Sequence, residues 1–245
     1  MTFWQRFHKQ VELARNYERR AKLVNLRAPA QICKMDRQMF VDASKDLKVP
    51  AWHLAAVANV ESGGRSYDSF GRLKILFEPH IFHKVTKGAH KGLTMPVDWN
   101  GQVIDAEVSY RSWRRLTTAQ ANDDSYFHIY KLDNLARWDL LARLYEVDER
   151  ALEAASYGAY QLLGRNWFSL GYKSAFDMVE SLYDGERANI SGVIRFIRVN
   201  RILAALRSGD WLKFAKLYNG RGAARSYAVR LRDAANAARQ AMGLM

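Results

Sequence analysis

Apolar residues recur at helical spacing along most of the chain, and the stretch where they are densest ends in a chemically distinctive way. Residues 51–64 read AWHLAAVANVESGG: an almost unbroken apolar run, then a carboxylate, a serine and two glycines. Pro50 suits the first turn of a helix and Gly63-Gly64 stop one, so Glu61 is expected in the last turn. Leu54, Val57 and Ala58 precede Glu61 by seven, four and three residues. That spacing sets its carboxyl on an apolar stripe. Burial disfavours the charged form and the negative end of the helix acts in the same direction, so the pKa is expected to rise towards that of a general acid.

The same patterning predicts the other elements. Residues 1–27 form an amphipathic helix with Phe3, Phe7, Val11, Ala14, Tyr17, Ala21 and Val24 on one stripe, and the segment 25–31, with Pro29, is the linker that follows. Asp36 caps a helix through Leu47. After Gly64 the period changes: residues 66–71 carry turn chemistry, and Arg72 to Glu78 alternate, with Leu73, Ile75 and Phe77 on one side, until Pro79 ends the strand. A carboxylate helix followed by a small β element can place a second acid, Glu78 or Asp68, across a cleft from Glu61. Residues 84–134 are the least informative part: they contain the loop signals GAHKGL and DWNG, the aromatic and basic stretch SYRSWRR at residues 109–115, and the polar ANDDS. Helices are expected over Leu135–Leu144, from the Asp148 cap through Ala155, over Ile190–Leu206 and over Trp211–Tyr218. The last helix turns Ala224, Tyr227, Leu231, Ala234 and Ala238 inward and its arginines outward. Gly158 permits close approach of backbone or ligand, and a buried Gln161 supplies one acceptor and two donors, matched to an N-acetyl group or to a neighbouring turn.

Composition narrows the class. The chain of 245 residues is 49% hydrophobic and 26% charged, with 15 Gly and 4 Pro, which suits a helix-rich globular protein of one main domain. We divide it into a basic N-terminal helix, residues 1–30, and a main domain, residues 31–245. A formal charge of +13 implies an anionic partner: nucleic acid, an acidic membrane, or a bacterial envelope. Cys33 is the only cysteine, so no intramolecular disulfide is possible. The N-terminal sequence lacks the apolar run of a secretory signal, which leads to an expectation of synthesis in the cytoplasm, with release by something else if the target lies outside. His80, His83 and His90 lack a clear fourth ligand, and neither a metal nor another cofactor is expected.

Three signatures stand in order: VESGG around Glu61, ASYGAYQLLG around Gln161, and AKLYNGRG around Tyr218 and Asn219. Together they resemble the lysozyme-like superfamily, in which goose-type lysozymes and soluble lytic transglycosylases carry a Glu-Ser helix end, a Gly-x-x-Gln segment and a Tyr-Asn-x-Gly turn. The longer runs VANVESGG, GRLKILFEPHIFHKVT, ALEAASYGAYQLLGRNW and WLKFAKLYNGRG resemble the N-acetylmuramidase domain of phage endolysins of Gram-negative hosts, over about residues 33–235. The resemblance implies a mainly α fold with a small β-sheet. It implies Glu61 as catalytic acid, with Ser156, Tyr157, Gly158, Gln161, Tyr218 and Asn219 lining a sugar cleft, and Glu78 in the family's ILFE-x-H segment. Tyr157 stands where relatives commonly have Trp.

The activity implied is hydrolysis of the β-1,4 bond between N-acetylmuramic acid and N-acetylglucosamine by a phage endolysin acting in the periplasm, monomeric and without specific nucleic-acid binding. Glu61 would protonate the leaving oxygen, with Glu78, or failing it Asp68, as the second carboxylate. Two other readings stay open on the residues: a lytic transglycosylase, if the substrate's 6-hydroxyl attacks, and a non-catalytic basic protein that binds envelope or nucleic acid. The Arg-rich termini are expected to touch the anionic outer membrane.

Overall fold

The computed structural model describes residues 3–28, 35–99, 102–111 and 128–243. The fold is mainly helical with small antiparallel sheets. At its centre lies α3 (Ala51–Ser62), whose Leu54, Ala56, Val57 and Ala58 are wholly enclosed. It is flanked by α2 (Arg37–Leu47), capped by Asp36 as expected, and by α11 (Ala224–Ala241), its most extensive helical neighbour. An apolar rod covered on both flanks needs no polar face of its own, which is why its sequence shows almost none.

Around α3 the short strand β1 (Ile75–Phe77) leads into α4 (Pro79–Val85), and β2 (Thr94–Trp99) with β3 (Gln102–Glu107) forms a hairpin in a region whose sequence carries loop signals. A single turn, α5 (His128–Lys131), precedes α6 (Asn134–Val147). The helix expected after Asp148 is instead a 3-10 stretch, Glu149–Ala154, which runs straight into strand β4 (Ala155–Tyr157). There β4 pairs antiparallel with both β1 and β5 (Leu162–Leu163), so Ile75 faces Tyr157 and Phe77 faces Ala155. Long-range pairing with β1 overrides the local helix preference of ERALEAA.

Four further helices precede α11: α7 (Ala175–Leu182), α8 (Glu186–Val199), α9 (Leu203–Ser208) and α10 (Trp211–Tyr218). The single helix expected over Ile190–Leu206 is therefore two. Between them Arg201 adopts φ 56°, and the Asn200 side chain donates to the Phe196 carbonyl at 2.9 Å, closing α8 before the chain turns. Of its arginines, Arg198 reaches Asp46 at 2.7 Å and Arg195 lies over the Tyr172 ring.

At the N-terminus, α1 (Phe3–Asn25) packs on α6, and the described part of the expected stripe, from Ala14 on, does not form the contact. Leu23 is buried, whereas Ala14, Tyr17, Ala21 and Val24 face outward. Arg20 pairs with Glu146 at 2.9 Å, Arg19 with Glu149 at 3.5 Å, and Lys22 with Glu180. The docking face is thus chosen by one leucine and three ion pairs to the body of the fold.

One buried carboxylate fixes the parts of the fold that converge near Glu61. Glu186, at the start of α8, accepts from the Ser66 amide at 2.9 Å and from the Ser66 hydroxyl, whose oxygen in turn accepts from the Ala159 amide at 3.1 Å. The loop after α3 and the turn after β4 are tied to one point. Both neighbours of Glu61 are set by this tie.

Candidate active site

Glu61 sits in the last turn of α3, where Gly63 at φ 71° ends the helix with its amide on the Ala58 and Asn59 carbonyls. Ser62 ties that helix end to the far side of the cleft, donating to the Ala159 carbonyl at 3.0 Å, and Lys74 donates to the Ser62 carbonyl at 2.6 Å. The half-buried Glu61 carboxyl accepts from the Tyr227 phenol and, at 3.4 Å, from Asn219. Burial pushes its pKa above the ordinary carboxylate value, against the opposing pull of the Tyr227 and Asn219 hydrogen bonds and the Arg230 charge. The desolvated acid keeps its proton more readily than a solvated one.

The other two signatures arrive by their own local logic. Asp210 caps α10, and the helix ends at Asn219, whose side chain reaches Glu61. Tyr218 stacks on Phe214 with ring centroids 5.0 Å apart and donates to the Tyr160 carbonyl at 2.6 Å, latching the Tyr-Asn turn onto the segment that holds Gln161. Gly158 has φ 72°, and a Cβ there would stand 2.0 Å from Asn189 Oδ1, so both conformation and space require glycine. Gln161 itself has φ 46° and donates to the Gly158 carbonyl at 2.9 Å. A left-handed conformation at a residue with a side chain is costly and is held here by the surrounding turn.

Two hollows meet at Gln161. One, of about 270 Å³, is lined by Glu61, Asp68, Lys74, Asn134, Arg137 and Gln161. The other, of about 260 Å³, is lined among others by Glu78, His80, Ser156, Gln161, Tyr218 and Asn219. Gln161 lines both, and Asn219 reaches from the second to Glu61, so the two hollows adjoin at the helix end. Glu61, Glu78, Asp68, Ser156, Gln161, Tyr218 and Asn219 are thereby brought together. Tyr157 is not: its side chain is fully buried and its phenol donates to the Leu152 carbonyl at 2.8 Å, so it belongs to the core beneath the cleft. Gly158 shapes the Gln161 turn without lining either hollow.

The two remaining carboxylates differ sharply. Asp68 is raised by burial but held below the ordinary carboxylate range by hydrogen bonds from Asn134 (2.9 Å), the Arg72 amide (3.0 Å) and guanidinium (2.8 Å), and the Phe70 amide (2.9 Å). Glu78 is pushed upward by burial, opposed only by the Tyr130 phenol at 3.3 Å. A carboxylate saturated with donors is a poor base. One that is desolvated and lightly bonded is a better one.

Sequence reasoning missed Tyr227 as a partner of Glu61, although it stood on the inward stripe of α11, where a buried phenol must find an acceptor. It also missed Tyr130, Asn134 and Arg137, which come from a stretch without a motif. Of the SYRSWRR segment, Tyr110 is buried, with its phenol 3.4 Å from that of Tyr130, while Trp113, Arg114 and Arg115 lie outside the described residues. Among the described residues no group of three or more His, Cys, Asp or Glu side chains is placed to hold a metal ion. His90 faces Asp148 at 3.0 Å.

The N-acetylmuramidase family model matches residues 50–239, a span that starts at the first turn of α3 and ends in α11, and so takes in every residue of the cleft. Among solved structures the chain is similar to the crystal structure of a Burkholderia AP3 phage endolysin, with 28% sequence identity, a TM-score of 0.60, and coverage of 85% of this chain and 72% of that one. No curated protein matches the chain.

Proposed function

Since the chain belongs to the N-acetylmuramidase family, we propose that Glu61 is the general acid that cleaves the glycan strand and that Glu78 is the carboxylate acting opposite it. The protein is a phage peptidoglycan hydrolase, a glycosidase of the muramidase type. The transglycosylase and non-catalytic readings are not favoured. The observation that carries the residue roles is the setting of Glu61: a carboxyl desolvated by an apolar helix, opening on a cleft shared with Gln161, Tyr218 and Asn219.

In this reading the muramic acid unit lies across the two hollows, with Gln161 and Asn219 offering polar contacts for its N-acetyl and hydroxyl groups. Protonated Glu61 gives its proton to the leaving glycosidic oxygen as positive charge develops on the sugar ring. Glu78, made more basic by burial, takes the proton of the water that completes hydrolysis. Asp68 braces the loop below Glu61 through its four donors, and we assign it no proton transfer. Mass spectrometry of digested peptidoglycan tests the outcome. Reducing muramic acid ends are expected; 1,6-anhydro ends, lighter by one water, would replace hydrolysis by transglycosylation, and reducing glucosamine ends would overturn the bond assignment.

The Tyr227 phenol tunes this acid. Its hydrogen bond favours the charged form of Glu61, so Tyr227→Phe raises the Glu61 pKa and moves the alkaline limb of the pH–rate profile to higher pH. An alkaline limb unmoved in Tyr227→Phe would show that the phenol does not set the acid's titration.

The remaining partner is the anionic envelope surface, met through the chain's charge of +13 with the exposed Tyr17 and Val24 of α1 at the contact. Retention on vesicles of anionic phospholipid should fall steeply as salt rises, because exposed charges are screened. Equal retention on neutral vesicles would remove that partner. Among the described residues no helix is long and apolar enough to cross a membrane.

A further inference from the structure

One wall of the cleft is cationic in a way the proton transfers do not use. Lys74 and Arg137 line the hollow that holds Glu61 and Asp68. Beyond Asp68 lies a larger, open hollow, of about 800 Å³, lined in part by Asn59, Arg65, Asp68 and Ser69. Asp68 borders both spaces, so Arg65 continues the wall that Lys74 and Arg137 begin.

Lys74 and Arg137 are held by backbone carbonyls rather than by carboxylates. The Lys74 ammonium donates to the Ser62 carbonyl at 2.6 Å. The Arg137 guanidinium donates to the Ile75 carbonyl at 3.0 Å and the Tyr130 carbonyl at 2.9 Å, while its buried Nε has no partner. Arg65 is exposed. No ion pair is formed by any of the three among the described residues. The nearby acids are otherwise engaged, Asp68 with Asn134 and Arg72, and Glu186 with Ser66. Lys74 is lowered by burial and then by the Arg65 charge, with Glu186 and Asp68 pulling the other way. Two like charges kept close beside a cleft, with the nearby acids hydrogen-bonded elsewhere and only partly offsetting them, favour an anion arriving with the ligand.

Resting on the muramidase reading, we propose that Arg65, Lys74 and Arg137 bind the carboxylates of the peptide stem borne by the muramic acid, so that the enzyme selects stem-bearing, anionic glycan over neutral glycan of the same backbone. The glycan chain itself is uncharged at its hydroxyl and acetamido groups. Its carboxylates are on the stem, which is borne by the sugar whose glycosidic bond Glu61 cleaves. A guanidinium offers a carboxylate two parallel donors, and an ammonium one strong point charge.

The test compares soluble wall glycan with the same glycan after its stem carboxylates are converted to amides, which removes charge and keeps bulk. Wild type is expected to lose about tenfold in kcat/KM on the amidated glycan, the scale of one or two charge-assisted hydrogen bonds. In Arg65→Gln, a change at an exposed side chain, and in Lys74→Gln, the ratio of native to amidated kcat/KM should fall towards one, with the loss in KM rather than kcat. A wild type indifferent to amidation would overturn the proposal. So would variants that lose equally on both glycans, since that is the behaviour of a fold defect. Failure of the muramidase reading looks different: wild type would then cleave neither glycan.

Discussion

Glu61→Gln lowers kcat on peptidoglycan by about 10²–10⁴-fold with little change in glycan binding, because the isosteric amide keeps the acceptor for Tyr227 and Asn219 but has no proton to give. The same substitution should stabilise the protein at neutral pH. The folded-state pKa of Glu61 lies above its unfolded value, so the contribution of its neutral form is fully present below the unfolded pKa and is lost as pH rises through the folded one. Wild type therefore carries the cost of a desolvated charge at neutral pH, and the glutamine variant does not. Thermal unfolding followed from acid to neutral pH should show the variant gaining on wild type as pH rises. A variant that keeps its turnover would exclude Glu61 as the acid, and one that is destabilised at neutral pH would contradict its buried setting.

That dual effect explains why this part of the site was legible before any coordinates. The apolar run of α3, its glycine stop and the position of Glu61 are local features, each decided within a few residues, and the structure has them where they were expected. The Asp36 cap and the inward face of α11 are equally local. What could not be read depends on distant partners. The 3-10 stretch and β4 exist because Phe77 and Ile75 supply a pairing edge, some eighty residues earlier in the chain, that no window around ERALEAA contains. In α1 the apolar stripe was legible, but among the described side chains the docked face is marked by Leu23 and by the acids of other segments, which the helix's own sequence does not contain. Tyr157 was expected at the sugar cleft from the resemblance alone, yet strand alternation turns its side chain away from the face that Ser156 presents. One signal was local and passed over. Asn100-Gly101 between alternating segments is a strong hairpin indication, and β2 and β3 flank it.

The second large effect concerns the carboxylate opposite the acid. If Glu78 activates the attacking water, Glu78→Gln lowers kcat by about 10²–10⁴-fold while KM changes little. Its environment distinguishes this from a structural loss. The Glu78 carboxyl accepts one long hydrogen bond, from Tyr130, so an amide in its place leaves few partners stranded. Asp68 is the contrast, since Asp68→Asn disturbs contacts with Asn134, Arg72 and Phe70 together and should appear first as lost thermal stability. The products carry a further consequence. With water no longer activated, the 6-hydroxyl of the muramic acid is the nearest competing nucleophile, so the residual products of Glu78→Gln should be enriched in 1,6-anhydro ends. Wild-type turnover in Glu78→Gln would remove it from the reaction. A fall in kcat with Asp68→Asn at unchanged stability would move the role of base to Asp68 and require its carboxylate to shed donors during catalysis.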